Sequence, residues 1–481
     1  MRKSPILLIA LLLGGCAVGP NYAPPKTPPS AAGPFVSAEP QAESADAPPD
    51  QWWRLYQDPV LDGLVQEALT ENADLKVAAA NLAYAQALLG EARAGLLPTT
   101  SVTGGTTYGV SSDDQLFASL AGQKAKASTF SDYGFTAAYQ VDLFGRVRRT
   151  IEAQHAGAQA ARAAEDAVRI TVAAETAGAY ANVCTYGEAV EAAKRNLNVA
   201  QQGYDLTKVQ RDAGAISDLD LSRQTVLLDQ AKAVLPTVEG QRRAALFELA
   251  ALTGHTPSQA PQAVLSCTRA PTIAQPIPTG DGAALLRRRP DVREAERTLA
   301  ANTARIGVAT ADLFPTVSLG GNIAGGGTTL RGLTSASAVT YGVGPGISWS
   351  FPNIAVARAH IREASAQASG SLASFDSVVL QALKETEQAL TAYDAEIRQN
   401  AATRAARDEA AHALALARVQ YTAGSISSLD LLTTEQTAVT TEQALATADQ
   451  QLVADQIAVF QALGGGWQTA PPVSAPKISK K

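Results

Sequence analysis

The octapeptide GAISDLDL at 214–221 recurs as GSISSLDL at 424–431, an offset of 210 residues. Upstream, LLPTTSVTGG at 96–105 matches LFPTVSLGGN at 313–322 at an offset of 217, the spacing that also separates Asp74 from Asp291. Length alone would allow about three domains. Self-similarity kept in one order leaves instead a single series of elements used twice.

That series can be read from periodicity. Asp58-Pro59 is a capped helix start with Pro at the first helical position. A second helical run begins at Asn72 and lasts to about Leu97, where Pro98 stops it. Strict alternation follows in YGFTAAYQVDL, with Tyr133, Phe135, Ala137, Tyr139, Val141 and Leu143 on one face, and again in YGVGPGISWSF, with Tyr341, Val343, Pro345, Ile347, Trp349 and Phe351. Period two over about ten residues marks a strand with one apolar and one wet face. Val102, Tyr108 and Val110, and likewise Val317, Leu319 and Ile323, suggest the partner strands of two hairpins, with polar connections near 111–131 and 328–338.

After each hairpin runs a proline-free helical stretch, about Arg146–Asp212 and about Ile354–Ala423, each stopped by a glycine, Gly214 or Gly424. Ser217 or Asp218 can cap a return helix to Gly254, and Ser427 or Ser428 one to Gly464. The return helices carry a heptad seam through Leu221, Leu228, Leu235 and Leu249, repeated by Leu431, Ala438, Leu445, Leu452 and Val459. A 3.5-residue period predicts left-handed coiled-coil packing. At 1.5 Å per residue the long helix spans roughly 100 Å, and the helices 72–97 and 217–254 roughly 39 and 57 Å, so two short helices can stack beside one long one. Abundant Ala with only 5% aromatics suits such thin, closely packed helices. No run of 18 apolar residues occurs, so no membrane-spanning helix is expected. A pI near 5.4 argues against a nucleic-acid partner, which would require a basic field.

The N-terminus carries an address. Arg2 and Lys3 precede the apolar run Ile6–Leu13, a secretory signal peptide over 1–15, and Leu13-Gly14-Gly15-Cys16 resembles a bacterial lipobox that would make Cys16 the acylated first residue. Cleavage elsewhere, with an incidental Cys16, is the alternative. Residues 17–50 hold nine prolines and read as an extended linker without a packed core. The tail 465–481, with Pro471 and Pro472, reads as disordered.

Four strands with an apolar outer face cannot stay open in lipid, because every edge amide would be unpaired. Closure must then come from several chains, eight strands from two copies or twelve from three. Two amphipathic hairpins covering a soluble helical bundle would be the bland alternative. The blocks CAVGPNY (16–22), DQWWRLYQDPVLDGLVQEALTENADL (50–75), QVDLFGRVRR (140–149), LLRRRPDVREAERTLAANTARIGVATADLFPTVSL (285–319) and GSISSLDLL (424–432) resemble the NodT-type outer-membrane factors, TolC/OprM-like channel lipoproteins of tripartite, RND-type efflux pumps. The resemblance implies a mainly α fold with membrane β: a duplicated protomer of a homotrimer whose twelve-stranded β-barrel continues into a twelve-helix periplasmic α-barrel. It also implies partners: outer-membrane lipid, a periplasmic adaptor and an inner-membrane transporter. On that frame the chain divides into a lipid-anchored Pro-rich segment 16–58, a first repeat 59–254 with its hairpin at about 99–143, a mid-tunnel linker 255–282, and a second repeat 283–464 with its hairpin at about 316–351.

A passive duct needs neither catalytic residues nor cofactor nor metal, and none are expected. His155, His255, His360 and His412 lie far apart, GGNIAGGGTT (320–329) lacks the lysine of a phosphate loop, and RRRPD (287–291) reads as an anion site or, more blandly, as a charged helix start. The resemblance places a periplasmic gate at Leu219, Asp220, Leu429 and Asp430, and adaptor contacts at the tip turns Gly214, Ser217, Gly424 and Ser427. Threefold repetition would make a ring of Asp430 carboxylates that attracts cations. Asp218, Asp220 and Asp430 can equally serve as helix caps. Cys184, near the midpoint of the long helix, and Cys267, thirteen residues past the return helix, can form a disulfide or remain two free thiols. A periplasmic coiled-coil adaptor or structural lipoprotein is the competing class. It has no need of alternating strands beside such long helices.

Overall fold

The computed structural model describes residues 17–476 except 27, 38, 40, 41, 274, 334, 337, 352 and 353. In chain order its elements are β1 Glu43–Ser44, α1 Pro59–Glu71, α2 Ala73–Ala94, β2 Thr99–Gly109, α3 Ser112–Leu120, β3 Ser128–Val141, α4 Arg146–Asp212, α5 Asp218–Leu252, β4 Ile277–Pro278, α6 Gly282–Arg288, α7 Pro290–Ala311, β5 Thr316–Gly327, α8 Leu330–Leu333, β6 Val339–Ser348, α9 Ile354–Thr422 and α10 Ser428–Ala462. They form two compact units that cut across the repeats rather than following them. No described helix is long and apolar enough to cross a membrane.

The first unit comprises residues 84–160 and 296–374 with the segment up to Pro25. Its sheet has the order β2-β3-β5-β6, antiparallel throughout, so the two hairpins pair through their inner strands. The register sorts side chains by face, since directly opposed residues point the same way. Val102, Phe135, Ile323 and Tyr341 form one continuous row across all four strands, and Tyr139, Leu319 and Pro345 another on the same face. Apart from Phe130, the other face is made of small or polar residues, as in the row Ser101, Thr136, Asn322 and Gly342. Hydroxyls pair across strands on both faces, Ser101 with Thr136 at 2.7 Å on this one and Thr106 with Ser131 at 3.0 Å beyond the end of the apolar row. The apolar row is left open to solvent in the single chain, Val102 being 81% and Tyr341 84% exposed.

The connection near 111–131 is not merely polar. Ser111 and Asp114 form a reciprocal capping box that starts α3, and the helix ends before Gly122 takes a φ of +64°. Leu116, Phe117 and Leu120 are left exposed on it. At the opposite end of the sheet Asp142 accepts hydrogen bonds from the Val147 and Arg148 amides, which opens α4. Phe144 stacks on Phe314 there at 4.5 Å.

The residues after position 16 do not hang free in this unit. Arg149, 4% exposed, donates to the Val18 and Gly19 carbonyls and to Asn21 Oδ1. The Tyr22 hydroxyl donates to Glu296, and the Arg297 guanidinium lies 5.5 Å from its ring centroid.

The second unit comprises residues 26–83, 161–295 and 375 onward. Here too the linker reading of 17–50 is overturned. Phe35 and Ala42 are buried, Glu387 accepts the Val36 and Ser37 amides at 2.9 Å each, and Glu43–Ser44 pairs in parallel with Ile277–Pro278. A proline-rich strand has few amides to satisfy, so scattered side chains suffice to hold it extended. It leads into Trp52, Trp53 and Tyr56, all buried. Trp52 stacks on Phe460 at 4.8 Å, and the Tyr56 hydroxyl donates to Gln456. Asp58 caps α1 by accepting from the Val60 and Leu61 amides, and Tyr180 donates to its other oxygen at 2.5 Å.

The tail reading is likewise corrected as far as residue 476. Asp50 accepts the Gln468 and Thr469 amides, the Arg293 guanidinium lies 4.8 Å from the Trp467 ring centroid, and Ala470 and Val473 pack on the main core. The anion-site reading of RRRPD also falls. Arg288 is spent on the Pro48 and Pro49 carbonyls, and Arg289 on Asp291, Glu385 at 2.8 Å and the Ala462 carbonyl at 3.0 Å. These arginines fasten the N-terminal segment and the end of α10 to the start of α7.

Candidate functional site

The two inter-helix turns of the second unit are built alike, as their repeated sequence requires. Gly214 and Gly424 end α4 and α9 with φ of +75° and +73°, a left-handed turn that an L side chain adopts only under strain. The Ala215 amide then reaches back to the Gln210 carbonyl and the Ser425 amide to the Gln420 carbonyl, both at 2.9 Å. Two residues later Ser217 and Ser427 cap the return helices. Each hydroxyl donates to the aspartate three residues on, Asp220 or Asp430, at 2.7 Å, and accepts that residue's amide in return.

Asp220 and Asp430 are thus engaged in their own caps. The serine hydroxyls, followed by the serine amides, hold both carboxyls below the usual carboxylate range. Leu219 and Leu429, one position earlier, are 58% and 46% exposed. Asp220 also receives the Ser428 hydroxyl at 3.5 Å and lies 3.7 Å from Arg223, so it touches the other repeat. Asp218 lies 3.6 Å from Arg211 across its own turn. The Thr433 hydroxyl turns back to the Asp430 carbonyl.

Two links near these turns were not anticipated. Tyr421 donates to Gln210 Oε1 at 2.6 Å, joining the ends of α9 and α4. Below it Glu435, 6% exposed, faces Arg418 at 3.4 Å and shares the space over Gly203 with Gln224. Burial raises the Glu435 carboxyl, and Arg418 opposes that rise. For Gln224 the signal was present in the sequence. Gln224, three residues after Leu221, occupies a position of the heptad seam where an apolar residue is expected, and a polar group there marks a specific partner; Glu435 stands one residue beyond the equivalent Thr434 and gave no such signal.

Cys184 and Cys267 are joined as a disulfide, with 4.9 Å between their Cα atoms. Arg242 secures the same junction, donating to the Leu265 and Cys267 carbonyls at 2.7 Å each and to the Val183 carbonyl at 3.3 Å. The approach is close enough that a Cβ on Gly187 would meet the Cys267 carbonyl oxygen at 2.4 Å. The lipidation candidate Cys16 and the signal peptide lie outside the described residues. Among the described residues no group of three or more His, Cys, Asp or Glu could hold a metal ion, and His255 is tied to Glu67 at 2.8 Å.

Comparison with known proteins agrees with this geometry. The family model described as "Outer membrane efflux protein" matches residues 64–255 and 283–465. Nodulation protein T of Rhizobium leguminosarum bv. viciae is 30% identical over 471 residues, spanning 98% of this chain and 94% of that protein. The probable efflux pump outer membrane protein TtgC of Pseudomonas putida is 29% identical over 97% of this chain and 96% of its own length. The solved outer-membrane channel OprN superposes with a TM-score of 0.85 at 33% identity, covering 94% of this chain and all of that one. With both repeats matched and almost the full length aligned, the chain belongs to the outer membrane efflux protein family.

Proposed function

We propose that this chain is one protomer of a homotrimeric export duct, the outer-membrane component of a tripartite efflux pump. The observation that carries the reading is the four-stranded sheet. One face is apolar and open, and β2 and β6 are edges with no further strand beside them among the described residues. In lipid such edges must be closed by other copies, and three copies give twelve strands. The copy number three comes from the resemblance to TolC/OprM-like channels, as do the twelve-helix tunnel and docking to a periplasmic adaptor and an inner-membrane transporter at the tip turns Gly214, Ser217, Gly424 and Ser427. Acylation of Cys16 would add a lipid anchor. The family is one of transport channels, and transport through a duct asks no bond chemistry of the protein.

Reconstitution of the full-length protein in planar bilayers tests the reading. Discrete conductance steps and a cross-linked trimer are expected, and protein that inserts without conducting overturns it. A Phe135→Arg substitution places a cation in the middle of the apolar row, at an expected cost of about 2–4 kcal/mol per chain if the row faces hydrocarbon. Loss of heat-stable oligomer on gels reads that cost, whereas Thr136→Arg on the opposite face is expected to be tolerated far better.

The gate is placed at Leu219, Asp220, Leu429 and Asp430. Both leucines are exposed in the single chain, as side chains reserved for a crowded axis would be. Changing Leu429 and Asp430 together to Ala is expected to raise the open probability and conductance of single channels. Ser427→Ala removes the cap alone and separates the two roles, because unchanged closed-state behaviour in the first variant sinks the gate.

A further inference from the structure

Among all residues of β2, β3, β5 and β6, one is charged: Asp132. It stands on the small and polar face, opposite Gly105 on one side and Gly326 on the other. Neither neighbour has a side chain, although the Phe130 ring reaches over Gly326; the carboxylate is exposed, and a Cβ added at Gly105 would meet its Oδ1 at 3.3 Å. No ion pair ties it to another described residue. Of the acids just outside the strands, Asp142 is spent on Arg148 and the α4 amides, Asp312 on Arg146 and Asp114 on the α3 cap, while Asp113 adds to the negative charge at the α3 end. Asp132 lies four residues from the end of β3 that joins the connection carrying α3.

We infer that Asp132 sets a preference for cations in the barrel lumen, near the end of the sheet away from α4. The inference rests on the reading that several copies close a barrel whose small-residue face lines the lumen. Symmetry then places one carboxylate per copy at the same height, in a wall otherwise of Gly, Ala, Ser, Thr, Asn, Gln and the single aromatic Phe130. No strand residue supplies a compensating cation, the nearest in sequence being Lys124 and Lys126 in the connection before β3. The field reaches across a wide lumen only where salt is dilute, because the Debye length is about 30 Å at 10 mM and about 3 Å at 1 M. The preference therefore acts on dilute solutions and on multivalent or bulky organic cations more than on concentrated small ions.

The test is the reversal potential of full-length channels in planar bilayers under a KCl gradient, with Asp220 and Asp430 left intact. At about 10 mM the K⁺/Cl⁻ permeability ratio of Asp132→Asn is expected to fall by roughly twofold or more, and the difference from wild type to vanish near 1 M. Asp132→Lys is expected to lower the ratio further. Asn322→Asp adds a carboxylate to the same face and is expected to raise it. Asp132→Asn channels with the wild-type ratio at low salt overturn the inference. So do Asn322→Asp channels with that ratio, which decide the matter if Asp132→Asn assembles poorly. Wild-type protein that forms no channels overturns the duct reading beneath it instead.

Discussion

Replacing Cys184 and Cys267 together by Ser is expected to cost the folded chain about 4–5 kcal/mol. The bridge closes a loop with a sequence separation of 83, and the chain-entropy relation gives that magnitude for a loop of this length. The junction itself survives in part, because Arg242 still holds the Leu265, Cys267 and Val183 carbonyls. The expected phenotype is therefore a lower melting temperature with early proteolysis in 255–282, rather than failure to fold. Melting wild type with and without dithiothreitol checks it, since reductant should lower the wild-type midpoint and leave the double-Ser variant unmoved. Equal midpoints in all four samples, or two free thiols found by mass spectrometry, overturn the bridge.

Trp52→Ala is expected to cost about 3–5 kcal/mol, the range for deleting a fully buried aromatic side chain. Trp52 is 0% exposed, stacked on Phe460 and edge-on to Trp53 at 5.9 Å and Tyr56 at 6.5 Å. Its Nε1 has no hydrogen-bond partner among the described residues, so the loss is one of packing and of the cavity left behind. The walls of that cavity belong to α10 and to the turn before α1, both fixed at other points, which restricts collapse. Trp52→Phe should recover much of the loss. Unchanged thermal melting of Trp52→Ala would show that the Trp52 side chain contributes nothing to the core.

The long elements were legible because their signals are local. Proline-free runs ended by Gly214 and Gly424 give α4 and α9 their bounds, and alternation in 133–143 and 341–351 locates β3 and β6. The Ser217 and Ser427 caps were readable down to a choice between adjacent residues. What stayed hidden is what depends on distant partners. A proline-rich segment looks the same whether it floats or is held by Arg149, Arg288 and Glu387, each lying more than a hundred residues away in sequence. The pairing of β3 with β5 was equally invisible, because each hairpin is complete by its own pattern. At the turns the sequence identified Asp220 and Asp430, while the Tyr421–Gln210 and Arg418–Glu435 links depended on how the two repeats pack.

The N-terminal segment also has a place in time. It leaves the ribosome first, yet Glu387, Gln456 and Thr469, which hold Val36, Tyr56 and Asp50, are made more than three hundred residues later. Such distant contacts close late in folding. Until then the segment must wait as an unpaired chain, and nine prolines between 17 and 50 leave it few amides with which to join a wrong sheet. When it docks, it does so only against a protomer whose last helix is already in place. Its protection from protease is thus a clock for completed synthesis and folding.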